Sequence, residues 1–193
     1  MLSQIVVSTL YLVSTFYLTV VLLRFLLQLA RADFYNPICQ FVVKATNPPL
    51  KPLRKIIPSW GAFDGAALLL AIVIQALVYV GMLAAMGDVT MISPVTIFAW
   101  AVIKVVSIIA KIYFWAILAV VILSWIAPAA GHPGVQLLMQ LTEPVMNPVR
   151  KVIPSMGGLD LSPIVVFLIL NVVTVVIDNL GRSAGMHQLG LPL

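Results

Sequence analysis

Two short segments of the chain carry charged side chains in a regular spacing. In each segment an Arg-Lys pair is followed, ten residues after the arginine, by an aspartate: Arg54, Lys55 and Asp64, then Arg150, Lys151 and Asp160. Basic side chains at a membrane surface set topology and bind anionic lipid headgroups, which is one interpretation of both pairs. The other is that each arginine pairs with its own aspartate and fixes a loop that binds a partner or an ion.

Prolines and glycines recur around these charges. A shift of 96 residues superimposes the two segments without a gap, and 12 of the 29 positions from 36 to 64 are identical. The repeated loop motif is Pro52, Arg54, Lys55, Pro58, Gly61 and Asp64 over Pro148, Arg150, Lys151, Pro154, Gly157 and Asp160. Apolar runs can match by composition alone, whereas Pro, Arg, Gly and Asp do so rarely. The pattern therefore indicates an internal repeat, with units at 1–92 and 93–193.

Residue sets that carry out catalysis are not evident in the sequence. There is no phosphate-binding Gly-Lys loop, no dinucleotide fingerprint and no Ser-His-Asp or Cys-His set. His132 takes the place of Asn36 in the repeat, which favours a helix cap over a catalytic base. The sequence predicts a protein that is not an enzyme, with no catalytic residue, cofactor or metal site.

The composition indicates what surrounds these loops. Apolar residues make up 62% of the chain and charged residues 9%, against about 45–50% and about 25% in soluble domains. So few charges cannot cover a water-exposed surface, so most of the chain must face lipid. The net charge of +5 lies between apolar stretches, which favours membrane orientation over nucleic-acid binding.

Four stretches are long enough to be membrane helices, at about 3–29, 65–86, 105–127 and 162–180. The first lacks a basic leader and a cleavage site, so we expect a retained helix rather than a signal peptide. Residues 94–104, which carry Lys104, are expected to form an interfacial lead-in to the third span. Ser162 is expected to cap the fourth span, with Pro163 at its first helical position.

The distribution of Lys and Arg predicts the orientation of the spans. Most of these residues follow the first and third spans, so the positive-inside rule places both basic loops in the cytoplasm and both termini outside, in a bacterial inner membrane. Each repeat contains two spans, an even number, so the two copies have the same orientation. A pseudo-twofold axis along the membrane normal is expected to relate them.

Each basic loop is expected to begin with a short amphipathic helix lying in the membrane interface, and a re-entrant helix is the alternative. Pro48 and Pro144 are expected to end these helices. Pro52 then starts a second short turn, Gly61 allows a bend and Asp64 lies at the N-terminus of the next span. A carboxylate at that position stabilises the helix by about 0.3–1 kcal/mol.

Four polar candidates lie within the spans: Arg24, Lys111, Asn171 and Asp178. Arg24 either extends to the interface as an anchor or lines a cavity as an intramembrane charge. Asn171 and Asp178 share one helix face, which suits interhelical hydrogen bonds and an ion pair from Asp178 to Arg182. Alternatively, this face forms a polar pathway that Lys111 approaches.

The Pro-x-Arg-Lys-x-Ile-Pro pattern at 52–58 and 148–154 resembles the YggT family, whose shorter relatives with a single unit are called YlmG. The resemblance covers nearly the whole chain. Copy two continues with the family's Asp-x-Ser-Pro at 160–163, whereas copy one departs from it with Asp-Gly-Ala-Ala at 64–67. The resemblance implies a polytopic membrane protein linked to osmotic tolerance and ion uptake, to cell division, or to cofactor assembly such as haem attachment. It carries over no catalytic residues.

These observations predict an all-α integral membrane protein of four transmembrane helices, arranged as two parallel two-helix repeats. The favoured function is an assembly or scaffold factor in envelope or osmotic-stress homeostasis. The alternatives are a small oligomeric ion-transport protein and an assembly factor for haem proteins or cell division. Expected partners are anionic headgroups at the basic loops, a membrane or cytoplasmic protein, and a second copy of the chain.

Overall fold

The computed structural model describes residues 2–87, 92–126, 132–153 and 160–186. Six α-helices follow one another in this part of the chain: α1 (Leu2–Leu29), α2 (Pro37–Leu53), α3 (Gly65–Met86), α4 (Pro94–Ile126), α5 (Pro133–Val152) and α6 (Ser162–Ser183). Helices α1, α3, α4 and α6 are long and apolar enough to cross a membrane. The prediction of an all-helical membrane fold with four apolar helices is therefore confirmed.

Helix α4 differs from its prediction. It runs unbroken for 33 residues, so the expected lead-in at 94–104 and the expected span at 105–127 belong to one helix. Lys104 is only 2% exposed, and its Nζ lies 4.7 Å from the centroid of the Tyr11 ring on α1. A cation over an aromatic face is stabilised by the ring quadrupole. Lys104 therefore lies in the bundle interior rather than in a separate interfacial segment.

The prediction that Pro48 and Pro144 end the loop helices is wrong. Helix α2 continues to Leu53 and α5 continues to Val152, and Pro52 lies in the last turn of α2 instead of starting a new one. A proline inside a helix costs about 3 kcal/mol. The cost is offset because Leu50 and Met146, which follow these prolines, are buried in hydrophobic clusters that they reach only if the helices continue.

Helix α1 packs against α2, α3, α4 and α5. Ala67 and Ala71 of α3 are fully buried against the same core as α1, and small side chains let membrane helices approach closely. In the repeat, α4 and α6 take the places of α1 and α3. The bulkier Pro163 and Phe167 replace the two alanines, and fewer residues of α6 than of α3 are buried.

Besides the packing of α4 on α1 and α3, hydrogen bonds join the loops of the two copies. The side-chain amide of Asn36 donates to the carbonyl of Pro133 at 2.7 Å, and the backbone N–H of Asp33 donates to Oε1 of Gln140 at 2.9 Å. These bonds join positions 97 and 107 residues apart in sequence. The two loops therefore lie side by side.

Candidate functional site

The predicted ion pair of copy one is present at the start of α3. Nη2 of Arg54 pairs with Oδ2 of Asp64 and also donates to Oε1 of Gln28 at 3.2 Å. The other carboxylate oxygen of Asp64 accepts the backbone N–H of Ala67 at 3.2 Å. Asp64 thus caps α3, as predicted, while it is completely buried.

Arg24 belongs to the same polar group. Its Nη1 donates to the carbonyl of Val43 at 3.1 Å, and to Thr46 Oγ1 and Asn47 Oδ1 at 2.8 Å each. Arg24 is only 4% exposed, so its side chain does not reach water. Its guanidinium instead fastens α2 to α1.

We define the copy-one cluster as the polar side chains that link α1, α2 and the start of α3: Arg24, Gln28, Thr46, Asn47, Arg54 and Asp64. Removing one partner from such a buried group leaves the others unsatisfied, which is costly in a medium of low dielectric constant. The cluster therefore fixes the position of α2 on the bundle.

Copy two repeats the ion pair in a different setting. Nε of Arg150 lies 2.9 Å from Oδ2 of Asp160, and Nη1 of Arg150 lies 3.0 Å from Oε2 of Glu143. We define these three residues as the copy-two cluster. The side chain of Arg150 is 41% exposed and that of Asp160 39%, whereas the side chain of Asp64 is not exposed at all.

The start of α6 explains part of this difference. Pro163 takes the place of Ala67 and has no backbone N–H, so Asp160 accepts the N–H of Ser162 instead, at 2.9 Å. The N-cap is Leu161, so the prediction that Ser162 caps the helix is wrong. Burial acts to raise the pKa of the Asp160 carboxyl. Hydrogen bonds from Ser162 and Arg150, and the charge of Arg150, outweigh it and leave that pKa below its ordinary value.

The other motif residues have simpler surroundings. Lys55, Lys151, Pro52, Pro58 and Pro148 are exposed. Gly61 has φ +60°, the left-handed conformation that favours glycine, in agreement with the predicted bend. Pro154 and Gly157 lie outside the described residues.

Helices α4 and α6 bring together two of the intramembrane candidates. Lys111 and Asn171 line one cavity of about 560 Å³, together with Thr174. Asp178 is not among its lining residues. Within the described ranges there is no ion pair between Asp178 and Arg182, so the predicted contact at that end of α6 is wrong.

His132 has the role of a helix cap. Nδ1 of His132 accepts the N–H of Gly134 at 3.1 Å and caps α5, as Asn36 caps α2. In the part of the chain that the structure describes, no three His, Cys, Asp or Glu side chains are grouped so that they could hold a metal ion.

Sequence reasoning missed several members of the two clusters. Thr46 and Thr142 coincide in the repeat, and this coincidence was a usable signal. Glu143 precedes Arg150 by seven residues on one helix, a spacing of two turns that places both on one face. Gln28 gave no comparable signal, because Ser124 takes its place in copy two.

A duplicated pair of apolar helices, joined in each copy by a shorter helix and an Arg–Asp contact, defines this chain as a helical membrane protein of repeated architecture. The profile of the CCB3/YggT family matches it twice, at residues 3–85 and 99–181. The chain belongs to that family, and the two matches are offset by the same 96 residues as the internal repeat.

Relatives occur in bacteria and in a plant. An uncharacterized protein of Pseudomonas aeruginosa is 49% identical over 173 residues, covering 89% of this chain and 88% of that protein. The uncharacterized protein YggT of Escherichia coli K12 is 36% identical over 88% of this chain and 87% of its own length. The chloroplastic YlmG homolog protein 2 of Arabidopsis thaliana is 43% identical over 33% of this chain and 25% of that protein. No solved structure matches.

Proposed function

We propose that this chain is a non-enzymatic scaffold of the bacterial inner membrane that docks a partner protein in envelope or osmotic-stress homeostasis. The partner surface is a platform formed by both basic loops. The observation that carries this proposal is the pair of hydrogen bonds from Asn36 and Asp33 of copy one to Pro133 and Gln140 of copy two. Through them, two segments far apart in sequence present one surface.

The platform combines positive charge with exposed apolar side chains. Its exposed lysines are Lys44, Lys51, Lys55 and Lys151. Its large exposed apolar residues include Tyr35, Phe41, Ile56 and Trp60. Lysine supports contact with anionic headgroups or an acidic partner, and aromatic residues are common both in protein interfaces and at membrane surfaces.

The copy-one cluster supports a role for this platform in addition to setting the topology of the chain. A topology signal requires only positive charge on the correct side of the membrane. Here Arg24 and Arg54 also fix α2 to α1 and to the start of α3. A surface of fixed shape suits specific recognition, because less conformational entropy is lost when the partner binds.

We also propose how the chain lies in the membrane. The copies are parallel, α2 and α5 lie at the cytoplasmic interface and both termini lie outside. The adjacent loops support this arrangement, and so does the excess of Lys and Arg in them.

Crosslinking with mass spectrometry in native membranes tests the docking role. We expect the triple variant Lys51→Glu, Lys55→Glu and Lys151→Glu to lose the captured partner and to lower survival after osmotic shock. Arg182→Glu, a charge reversal on an exposed residue at the other end of α6, is the matched control and should retain both. An unchanged set of captured proteins in the triple variant would overturn the docking role.

One cavity favours a second candidate function, an ion path through an oligomer. Lys111, Asn171 and Thr174 line the same space between α4 and α6, and polar side chains within membrane helices mark transport paths in many proteins. Flux through vesicles that contain the purified chain, lost in Asn171→Leu, would support this role. Absence of flux in every oligomeric state that can be isolated would exclude it.

A further inference from the structure

The position that Arg24 occupies in copy one has a different residue in copy two. In copy one, the Arg24 guanidinium lies between α1 and α2 and is bound by Val43, Thr46 and Asn47. In copy two, Val120 takes the place of Arg24 and has no donor to offer. Thr142 is retained, and Glu143 replaces Asn47. The acceptor Thr142 is thus present beside Val120 and the Glu143 carboxylate pairs with Arg150, while the internal cation is missing.

The charge balance changes with this replacement. Among ionisable side chains, the copy-one cluster has two arginines and one aspartate, whereas the copy-two cluster has one arginine, Arg150, and two carboxylates, Glu143 and Asp160. A net charge of +1 therefore becomes −1. A second cation would complete copy two.

The vacant position opens into a cavity of about 460 Å³ between α4, α5 and α6. Thr142, Arg150 and Asp160 line its polar end, and Val120 is among its apolar lining residues. The rest of the lining is largely apolar and includes Ile117, Val121, Ile164 and Phe167. Ile164 and Phe167 also line the cavity of about 560 Å³ farther along α4 and α6. A trough with a charged mouth and apolar walls thus follows these two helices.

We propose that this trough binds a phospholipid whose headgroup carries a primary ammonium. The ammonium occupies the place of the Arg24 guanidinium, beside Thr142 and Glu143. The lipid phosphate lies near Arg150, and an acyl chain follows the apolar walls past Phe167. A lipid fits better than a protein side chain, because the occupant must combine both charges with a long apolar tail.

The nature of the ammonium gives a sharp test. A primary ammonium donates three hydrogen bonds, and its trimethylated form donates none. Native mass spectrometry of the full-length chain, purified with equimolar phosphatidylethanolamine and phosphatidylcholine of the same acyl chains, measures which lipid is retained. We expect a preference for phosphatidylethanolamine on the order of fivefold, the upper end for one partly exposed ion pair.

Two variants of this chain distinguish lipid binding in the trough from nonspecific retention of lipid. Val120→Arg supplies the cation internally, as Arg24 does in copy one, and is expected to abolish the preference. Glu143→Gln removes the carboxylate without adding bulk and is expected to lower it severalfold, so the test does not depend on the arginine variant folding. Asp33→Asn removes an exposed negative charge outside the cavity and is expected to leave the preference unchanged.

Several results would overturn the proposal. Equal retention of the two lipids by the wild-type chain is one, and full preference in both Val120→Arg and Glu143→Gln is another. A protein that crosslinks through a photoreactive group at position 124, together with no lipid preference, would assign the trough to a protein partner. None of these results bears on the lysines of the platform, so the docking role stands or fails separately.

Discussion

Arg24 shows how strongly one buried side chain can fix a neighbouring helix. Its Nη1 donates to three acceptors on α2, and all three of these hydrogen bonds are lost if the guanidinium is removed. We expect Arg24→Met to lower the free energy of unfolding in mixed micelles by on the order of 1.5–3 kcal/mol, the range for hydrogen bonds to charged groups. Arg182→Met, on an exposed arginine, serves as control. An equal loss in both variants would contradict the role assigned to Arg24.

The Asp160 carboxyl is expected to make the stability of the fold depend on pH. The pKa of Asp160 is lower in the folded chain than its ordinary value, so its charged form stabilises the fold. This contribution is complete above the ordinary carboxyl pKa and is lost as the pH falls through the folded pKa. Melting temperatures of the wild type and of Asp160→Asn, measured from pH 6 to pH 3, should therefore converge at the acid end. A constant gap would contradict this assignment.

At the scale of elements, the bend before α3 depends on one glycine. Gly61 has φ +60°, and a Cβ there would meet no atom within 4 Å, so conformational strain alone opposes a side chain. We expect Gly61→Ala to cost about 1–2 kcal/mol of unfolding free energy. The matched control is Gly65→Ala, where the added Cβ makes only an ordinary contact with Phe63 at 3.5 Å, and its effect should stay within about 0.5 kcal/mol. Equal effects would refute the strain argument.

Asn36 and His132 both cap a loop helix, but Asn36 also forms a hydrogen bond between the copies. Asn36 caps α2 through Oδ1 and donates to Pro133 through Nδ2, whereas His132 caps α5 through Nδ1. In Asn36→Asp the cap is kept, and the hydrogen bond to Pro133, one of the two between the loops, is lost. We expect this variant to weaken crosslinking between cysteines placed in the two loops, while His132→Asn leaves it intact. The same crosslinking yield in both variants would show that the link does not hold the copies together.

The limits of prediction are also clearest for these elements. The recurrence of Arg54 and Arg150 with their aspartates offered the two ion pairs as one of two interpretations, and both pairs are present. The continuation of α2 past Pro48 was not predictable, because a local cost is offset by the burial of Leu50 in a distant core. The hydrogen-bond partners of Arg24 were not predictable either, because they lie about 20 residues away on another helix.

At the scale of the whole molecule, duplication has produced one closed and one open copy of the same unit. Alanines at the α1–α3 contact and an internal guanidinium fill copy one, whereas Phe167 and Val120 leave a trough in copy two. The closed half holds the bundle together and the open half can accept a ligand. The two copies can be recognised from the sequence. That Val120 leaves a trough can be recognised only from the position of Arg24 in the structure.

Cysteine labelling tests most directly whether both basic loops form one platform on one side of the membrane. Burial and then the nearby charge of Asp33 raise the pKa of the Cys39 thiol, so this buried native cysteine should react little. We expect Lys55→Cys and Lys151→Cys to react with an impermeant maleimide only in inside-out vesicles, and Ser183→Cys only in right-side-out ones. Labelling of the two loops from opposite sides would contradict the account.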